Sequence, residues 1–239
     1  MWTVSLLKKN ARFVLKGHLL YSILSVTIRI LCSLLFFEQL IVSNLFPVLF
    51  SQTDIRRSAS YYIILIVSVL LLLAARFLVI NPVTVGLFRF FMEQRQGASS
   101  FSTIFSIFTA PSYWNVVKQL FLRDIQVFLL LLLVLVPGVY RHYQLRLVPW
   151  ILAENPNLSV VETFSLSKTL VKEELLSLFV LDCSFLGWFL LSLVSFGIGF
   201  FFLLPYYYAT LAECYAAYRV KAFTLIDSSR SQLSGFLYR

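Results

Sequence analysis

Charge is what this chain has least of. Asp, Glu, Lys and Arg make up 13% of its 239 residues, against roughly 25% in a soluble domain. Hydrophobic residues make up 59%, and the mean hydropathy is +0.85. Water cannot solvate such a surface, which excludes a soluble globular domain and leaves lipid as the solvent. Acids are scarcer than bases, 11 against 20, for a net charge of +9. The bases fall in the gaps between apolar runs and form no aromatic-interleaved face. That excludes nucleic acid as a partner and points to the positive-inside pattern and to anionic lipid head groups.

The residues of chemistry are few as well. His18 and His142 are far apart and lie outside any HExxH setting. Cys32, Cys183 and Cys214 sit inside apolar runs with no CxxC or metal-ligand spacing, and read as small packing residues. There is no GxSxG turn and no glycine loop to cradle phosphate. No nucleophile–base pair can be assembled. The sequence therefore names no catalytic residue, no cofactor, no metal site and no enzyme activity.

What is present is length of apolar run. The longest uncharged stretch, Cys183 to Ala212, covers thirty residues, with Asp182 and Glu213 at its edges and Gly197-Ile198-Gly199 near its middle. It predicts a membrane hairpin. The fold class is all-α: one polytopic transmembrane bundle over residues 1–239. Residues 1–16 read as an interfacial amphipathic helix, with Lys8, Lys9, Arg12 and Lys16 on one arc. Membrane segments follow at 17–50, 61–91, 116–137, 139–155 (weak and broken), 175–196 and 199–218, and then a tail at 219–239. The first apolar run is too long for a cleavable signal and reads as a retained span. Asn81-Pro82 marks a break or kink, and Arg89, Glu93, Arg95 and Gly97 a polar connection. Phe101, Ile104, Phe105 and Phe108 recur at helical spacing and predict a second interfacial helix. Pro137-Gly138 ends the third span. Ser159 and Glu162 have the form of a capping box that opens a helix through Lys168 and Lys172.

Charge decides the number of crossings. Five crossings, with the N-terminus inside, put ten Lys and Arg outside and eight inside. Letting 139–155 cross back puts fourteen inside and only Arg56 and Arg57 outside, the bias that insertion selects. The expectation is six crossings with both termini cytoplasmic, five being the alternative. Arg141 and Arg146 must then face protein or a wet cavity.

Charges within the spans are the site candidates. Any window of about 20 residues in 17–50 contains Arg29 or Glu38. At about 1.5 Å of rise per residue, Asp182 and Glu213 lie roughly 22 Å from the hairpin tip, and Arg76 reaches a similar depth from Tyr61. An Arg76–Asp182–Glu213 cluster lining a polar cavity is one expectation. Snorkelling, or separate locks between helices, is the other.

The order Pro149-Trp150-Ile151-Leu152-Ala153-Glu154-Asn155-Pro156, Glu162, Ser167-Lys168, Leu181-Asp182-Cys183-Ser184-Phe185-Leu186-Gly187-Trp188, Gly197-Ile198-Gly199, Pro205-Tyr206 and Ala212-Glu213 with Tyr215 carries a resemblance. Over residues 137–218 the chain resembles a family of bacterial integral-membrane proteins, domain-of-unknown-function family 975. The resemblance implies a polytopic protein of the bacterial plasma membrane and no particular activity. Two functions remain open: handling a lipid or small amphiphile, or assisting envelope transport; and serving as a structural partner of another membrane protein or of a second copy. Ala209, Ala212, Ala216 and Ala217 offer the packing face for the latter.

Overall fold

The computed structural model describes residues 2–40, 59–97, 100–225 and 233. Among them every regular element is helical. Residues 41–58, which hold the end of the first expected segment and the connection to the second, and most of the tail lie outside the described residues, as does the side chain of Glu38.

Helix α1 (Val4–Leu40) bends at His18, whose φ of −137° and ψ of 22° leave the helical region. The bend separates the basic N-terminal turns from the apolar run, close to the expected boundary at 16–17. The basic part does not lie free on a surface. Leu7, Ala11 and Leu15 repeat at i, i+4 and i+8 and are buried, while Leu6 and Phe13 are exposed. This narrow stripe packs along the last helix.

The second span is α2 (Ala59–Ala75) running into α3 (Asn81–Arg95). Between them, Arg76–Ile80 widens into a π-type turn in which the Asn81 N–H reaches back to Arg76 O. The widening accommodates Pro82 without ending the helix. A residue-82 amide would bond the Leu78 carbonyl in a regular helix. Here the Tyr113 hydroxyl donates to that carbonyl at 2.6 Å. The expected break at Asn81-Pro82 is thus a local irregularity in a continuous run, Leu65–Arg95.

Residues 89–95 correct the expectation of a polar connection. They belong to α3, which buries Val83, Val85, Leu87, Phe88, Phe90, Phe91 and Met92. The charges there are paired, so the apolar side chains between them can turn inward. Arg89 Nε donates to Glu93 at 3.1 Å, and Glu93 accepts from Thr103 Oγ1 at 2.6 Å. Gly97, at φ +80°, takes the left-handed turn that follows the helix.

The second interfacial helix is also corrected. Residues Phe101–Phe105 form a 3₁₀ turn, followed by the single turn α4 (Ser106–Thr109). Ile104 and Ile107 are buried and Phe105 and Phe108 exposed. Gly86 explains why: a Cβ there would stand 1.9 Å from Ile104 O, so this turn lies directly against the α3 backbone.

Helix α5 (Tyr113–Leu133) ends at Val134, three residues before the expected Pro137-Gly138, and α6 (Leu135–Gln144) folds back along it. Pro137 falls in the first turn of α6, where its missing N–H breaks no helical bond. The stretch 139–155 comprises the end of α6, a turn at 145–147, and α7 (Val148–Glu154). Helix α8 (Val160–Val171) opens on the expected capping box, with Ser159 and Glu162 bonded reciprocally. Then α9 (Leu175–Val194) and α10 (Phe200–Leu225) form the hairpin. Its turn takes Phe196 to φ 52° and Gly197 to φ 88°. A Cβ on Gly199 would lie 2.6 Å from Ser192 Oγ, so glycine lets the two arms close. Among the described residues, three helices are long and apolar enough to cross a membrane: Val4–Leu34, Leu65–Arg95 and Leu175–Val194.

Candidate functional site

Three buried or half-buried carboxylates lie on or against α10, each held by a different arginine. Asp182 on α9 makes a forked pair with Arg146, in the turn between α6 and α7. Arg146 Nη1 contacts Oδ2, and Nη2 donates to Oδ1 at 2.7 Å. The hydroxyls of Tyr143 and Tyr207 also donate to this carboxylate, at 2.9 and 3.0 Å. Both carboxylate oxygens of Asp182 therefore accept from an arginine nitrogen and a tyrosine hydroxyl. Glu154, at the end of α7, is fully buried on its side chain and lies 2.8 Å from Arg219 Nε. Its other oxygen accepts from Tyr215 at 2.7 Å. The Arg219 N–H is poorly aligned with Glu154, so that contact acts chiefly through charge. Glu213 pairs with Arg95, from the end of α3, at 2.8 Å.

Arg76, Asp182 and Glu213 are not brought together. Arg76 lies 4.0 Å from Asp124 on α5, which also accepts from Arg123 and Asn81. Counting rise along a helix gives depth but not the face on which a side chain stands. The irregular segment 139–155 also inserts Arg146 where a straight-helix count sees nothing. Arg29 stands apart from all three: its Nε donates to Thr84 Oγ1 at 3.1 Å, and its guanidinium lies 5.7 Å from the Tyr208 ring. The arrangement is a set of locks, each joining two segments distant in sequence. Trp150 adds an apolar one, stacked at 4.1 Å on Phe88 and at 5.9 Å on Tyr215. Ala209 and Ala212 of α10 are buried inside the chain.

Beside these locks lies a groove of about 870 Å³ between α1 and the α9–α10 hairpin. One wall is Lys8, Arg12, Leu15 and Lys16 of α1, and the other includes Trp188, Leu191, Ile198, Phe202 and Leu203. Among the described residues no acid lines it. Lys8 is anchored: its ammonium donates to Ser184 O at 2.9 Å and sits 4.2 Å from the centre of the buried Phe185 ring. Arg12 and Lys16 stand one and two turns further along the same face. Three cations beside an apolar wall, in one cleft, suit a molecule with an anionic head and an apolar body. The basic arc was legible in the sequence. Its position inside a groove was not, because nothing local says that Leu7, Ala11 and Leu15 pack on α10. Among the described residues no group of His, Cys, Asp and Glu gathers in a metal-holding arrangement.

The model of the family described as "Protein of unknown function (DUF975)" matches residues 4–221. The chain belongs to this family. The match takes in the N-terminal half as well as 137–218, so α1 and its basic face fall within the family's extent. No curated protein and no solved structure matches the chain.

Proposed function

We propose that this member of the family holds an anionic amphiphile, a lipid with a negatively charged head group, in the groove between α1 and the α9–α10 hairpin. One observation carries the reading: Lys8, Arg12 and Lys16 share a cleft with Trp188, Leu191, Ile198 and Phe202, and no described acid lines that cleft. Cations alone would suit any anion. An apolar wall of this extent selects one that carries acyl chains. The excess of basic residues outside the spans supports a bacterial plasma-membrane protein with both termini cytoplasmic. The broken segments and the hinge at His18 suit a protein that takes up and passes on a lipid during envelope transport. A role as a structural partner draws less support, because two of the four small residues offered for it, Ala209 and Ala212, already pack within the chain.

The test is extraction into polymer-bounded nanodiscs followed by lipid mass spectrometry. The proposal expects one class of anionic lipid enriched over the bulk membrane, and an Arg12→Gln/Lys16→Gln variant that loses the enrichment. Lipids recovered in bulk proportion from both proteins would defeat it.

A further inference from the structure

We infer that the α5–α6 hairpin enters the membrane from one face, stops within a single leaflet and returns to the same face, anchoring residues 113–154 without crossing. The inference concerns a surface remote from the groove and is independent of any ligand there.

Four observations carry it. First, the return arm is too short to cross. Helix α6 has 10 residues, about 15 Å of rise, against a hydrocarbon core about 30 Å thick. Its outer turns are polar, with Arg141, His142 and Gln144. Helix α5 has 21 residues but carries Lys118, Arg123 and Asp124.

Second, the hairpin is tied at a definite height. Arg141 Nη2 donates to Gln126 Oε1 at 2.7 Å, so these residues face each other across the arms. From that level to Val134 is about eight residues, or roughly 12 Å, close to the thickness of one leaflet.

Third, the part above this level is built for lipid. Every residue from Leu131 to Pro137 is exposed, including Leu132 at 73% and Leu133 at 78%. A loop emerging into water on the far side would not be six consecutive aliphatic residues. The Val134 N–H bonds Leu130 O at 2.9 Å, its carbonyl accepts from Gly138 N at 3.3 Å, and Pro137 has no N–H to satisfy. Gly138 brings the arms into contact, since a Cβ there would lie 2.6 Å from Leu131 Cα.

Fourth, the base carries the charge that a membrane surface attracts. Lys118, Arg123 and Arg141 stand there, with exposed Phe128 and Tyr140 nearer the tip. Asp124 is neutralised by Arg123 at 2.6 Å. Basic side chains beneath aromatic ones, below an apolar tip, match anionic heads, interface and acyl chains in order.

The consequence is four crossings rather than six. Crossings by 17–50, 61–91, α9 and α10 keep both termini on one side. They still place only Arg56 and Arg57 outside, so the charge bias that favoured six is equally satisfied. The test is a nitroxide at Val134→Cys, in a chain whose Cys32, Cys183 and Cys214 are replaced by alanine, reconstituted in vesicles with one-third anionic lipid. Collision with oxygen and exclusion of a water-soluble nickel complex, at a depth of about 12 Å below the phosphates, is the result expected. Access by the nickel complex would mean a wet tip and would overturn the inference. Exclusion of both reagents would mean a second copy or another protein covers the hairpin, and would overturn it too. Should the cysteine-free chain not fold, an azide-bearing phenylalanine at 134 in the native-cysteine chain separates the same outcomes. Labelling by an impermeant cyclooctyne from either face contradicts single-leaflet insertion; labelling by a permeant one alone supports it.

Discussion

Replacing Arg146 with methionine removes the cation from Asp182 while keeping most of the side chain's volume. Two tyrosine hydroxyls are left pointing at a carboxylate with no counter-charge. Arg146 is 11% exposed and Asp182 29%, so the pair sits between a surface bridge worth at most about 1 kcal/mol and a fully buried one whose rupture costs about 3–5 kcal/mol. The forked geometry and the added hydroxyls place the cost near 2–3 kcal/mol. For a chain of this size each kcal/mol moves Tm by about 2–4 °C, so Arg146→Met should lower it by about 5–10 °C. Asp182→Asn should do nearly as much, since it strands a buried guanidinium. The double variant should recover at least about 1.5 kcal/mol of the summed loss, because either change alone already breaks the lock. The assay is thermal unfolding in detergent, read by tryptophan fluorescence across the four proteins. A parallel cycle with Arg76→Met and Asp182→Asn should be additive to within about 0.5 kcal/mol. Additive behaviour for Arg146 with Asp182, or coupling for Arg76 with Asp182, would refute the assignment of partners.

Other expectations follow from single contacts. Ser159→Ala should cost about 1 kcal/mol by removing the cap of α8, seen as a lower Tm. Hydrogen bonds from the Ser159 hydroxyl and amide hold the Glu162 carboxyl below its ordinary range. A lowered folded-state pKa means that its contribution is fully present above the unfolded value and is lost as pH falls through the folded one. The Tm gap between the native chain and Ser159→Ala should therefore narrow in acid; a gap that widens would be inconsistent with the box. Gly86→Ala should destabilise by at least about 1–3 kcal/mol, because a Cβ 1.9 Å from Ile104 O forces the backbone apart. Gly187→Ala, with nothing within 4 Å of its Cβ, should be neutral or slightly stabilising. Tyr113→Phe should cost about 1–2 kcal/mol by leaving the Leu78 carbonyl unbonded, a loss measurable in the same melts.

The features legible in the sequence are those that local chemistry dictates. The α9–α10 turn is announced by two glycines in an uncharged run, and the start of α8 by a serine and a glutamate three residues apart. The weakness of 139–155 is visible in its arginines, and the demand that Arg146 face protein is met by Asp182. What could not be read is azimuth. Arg76, Asp182 and Glu213 share a depth by counting, yet each meets a different partner, because depth follows from residue number and face follows from packing. Glu154 was visible only as part of a resemblance; its partner, Arg219, lies in what reads as a tail and is in fact the last turns of α10. The polar pattern at 89–95 concealed a helix that buries Val83, Val85, Leu87, Phe88, Phe90, Phe91 and Met92, since paired charges look the same in sequence as solvated ones. The groove needed the tertiary contact of α1 with α10 before its basic arc acquired an opposite wall.

The central claim is that this groove prefers an anionic amphiphile, and Trp188 in its wall reports on it directly. The measurement is quenching of Trp188 by a small mole fraction of phosphatidylglycerol with brominated acyl chains in phosphatidylcholine vesicles, taken as the difference from a Trp188→Phe variant. The account predicts quenching well above the mole fraction of brominated lipid. It also predicts a return to that fraction in Arg12→Gln/Lys16→Gln, and no excess when the brominated lipid is the zwitterionic one. Quenching that simply follows mole fraction for both lipids would contradict it.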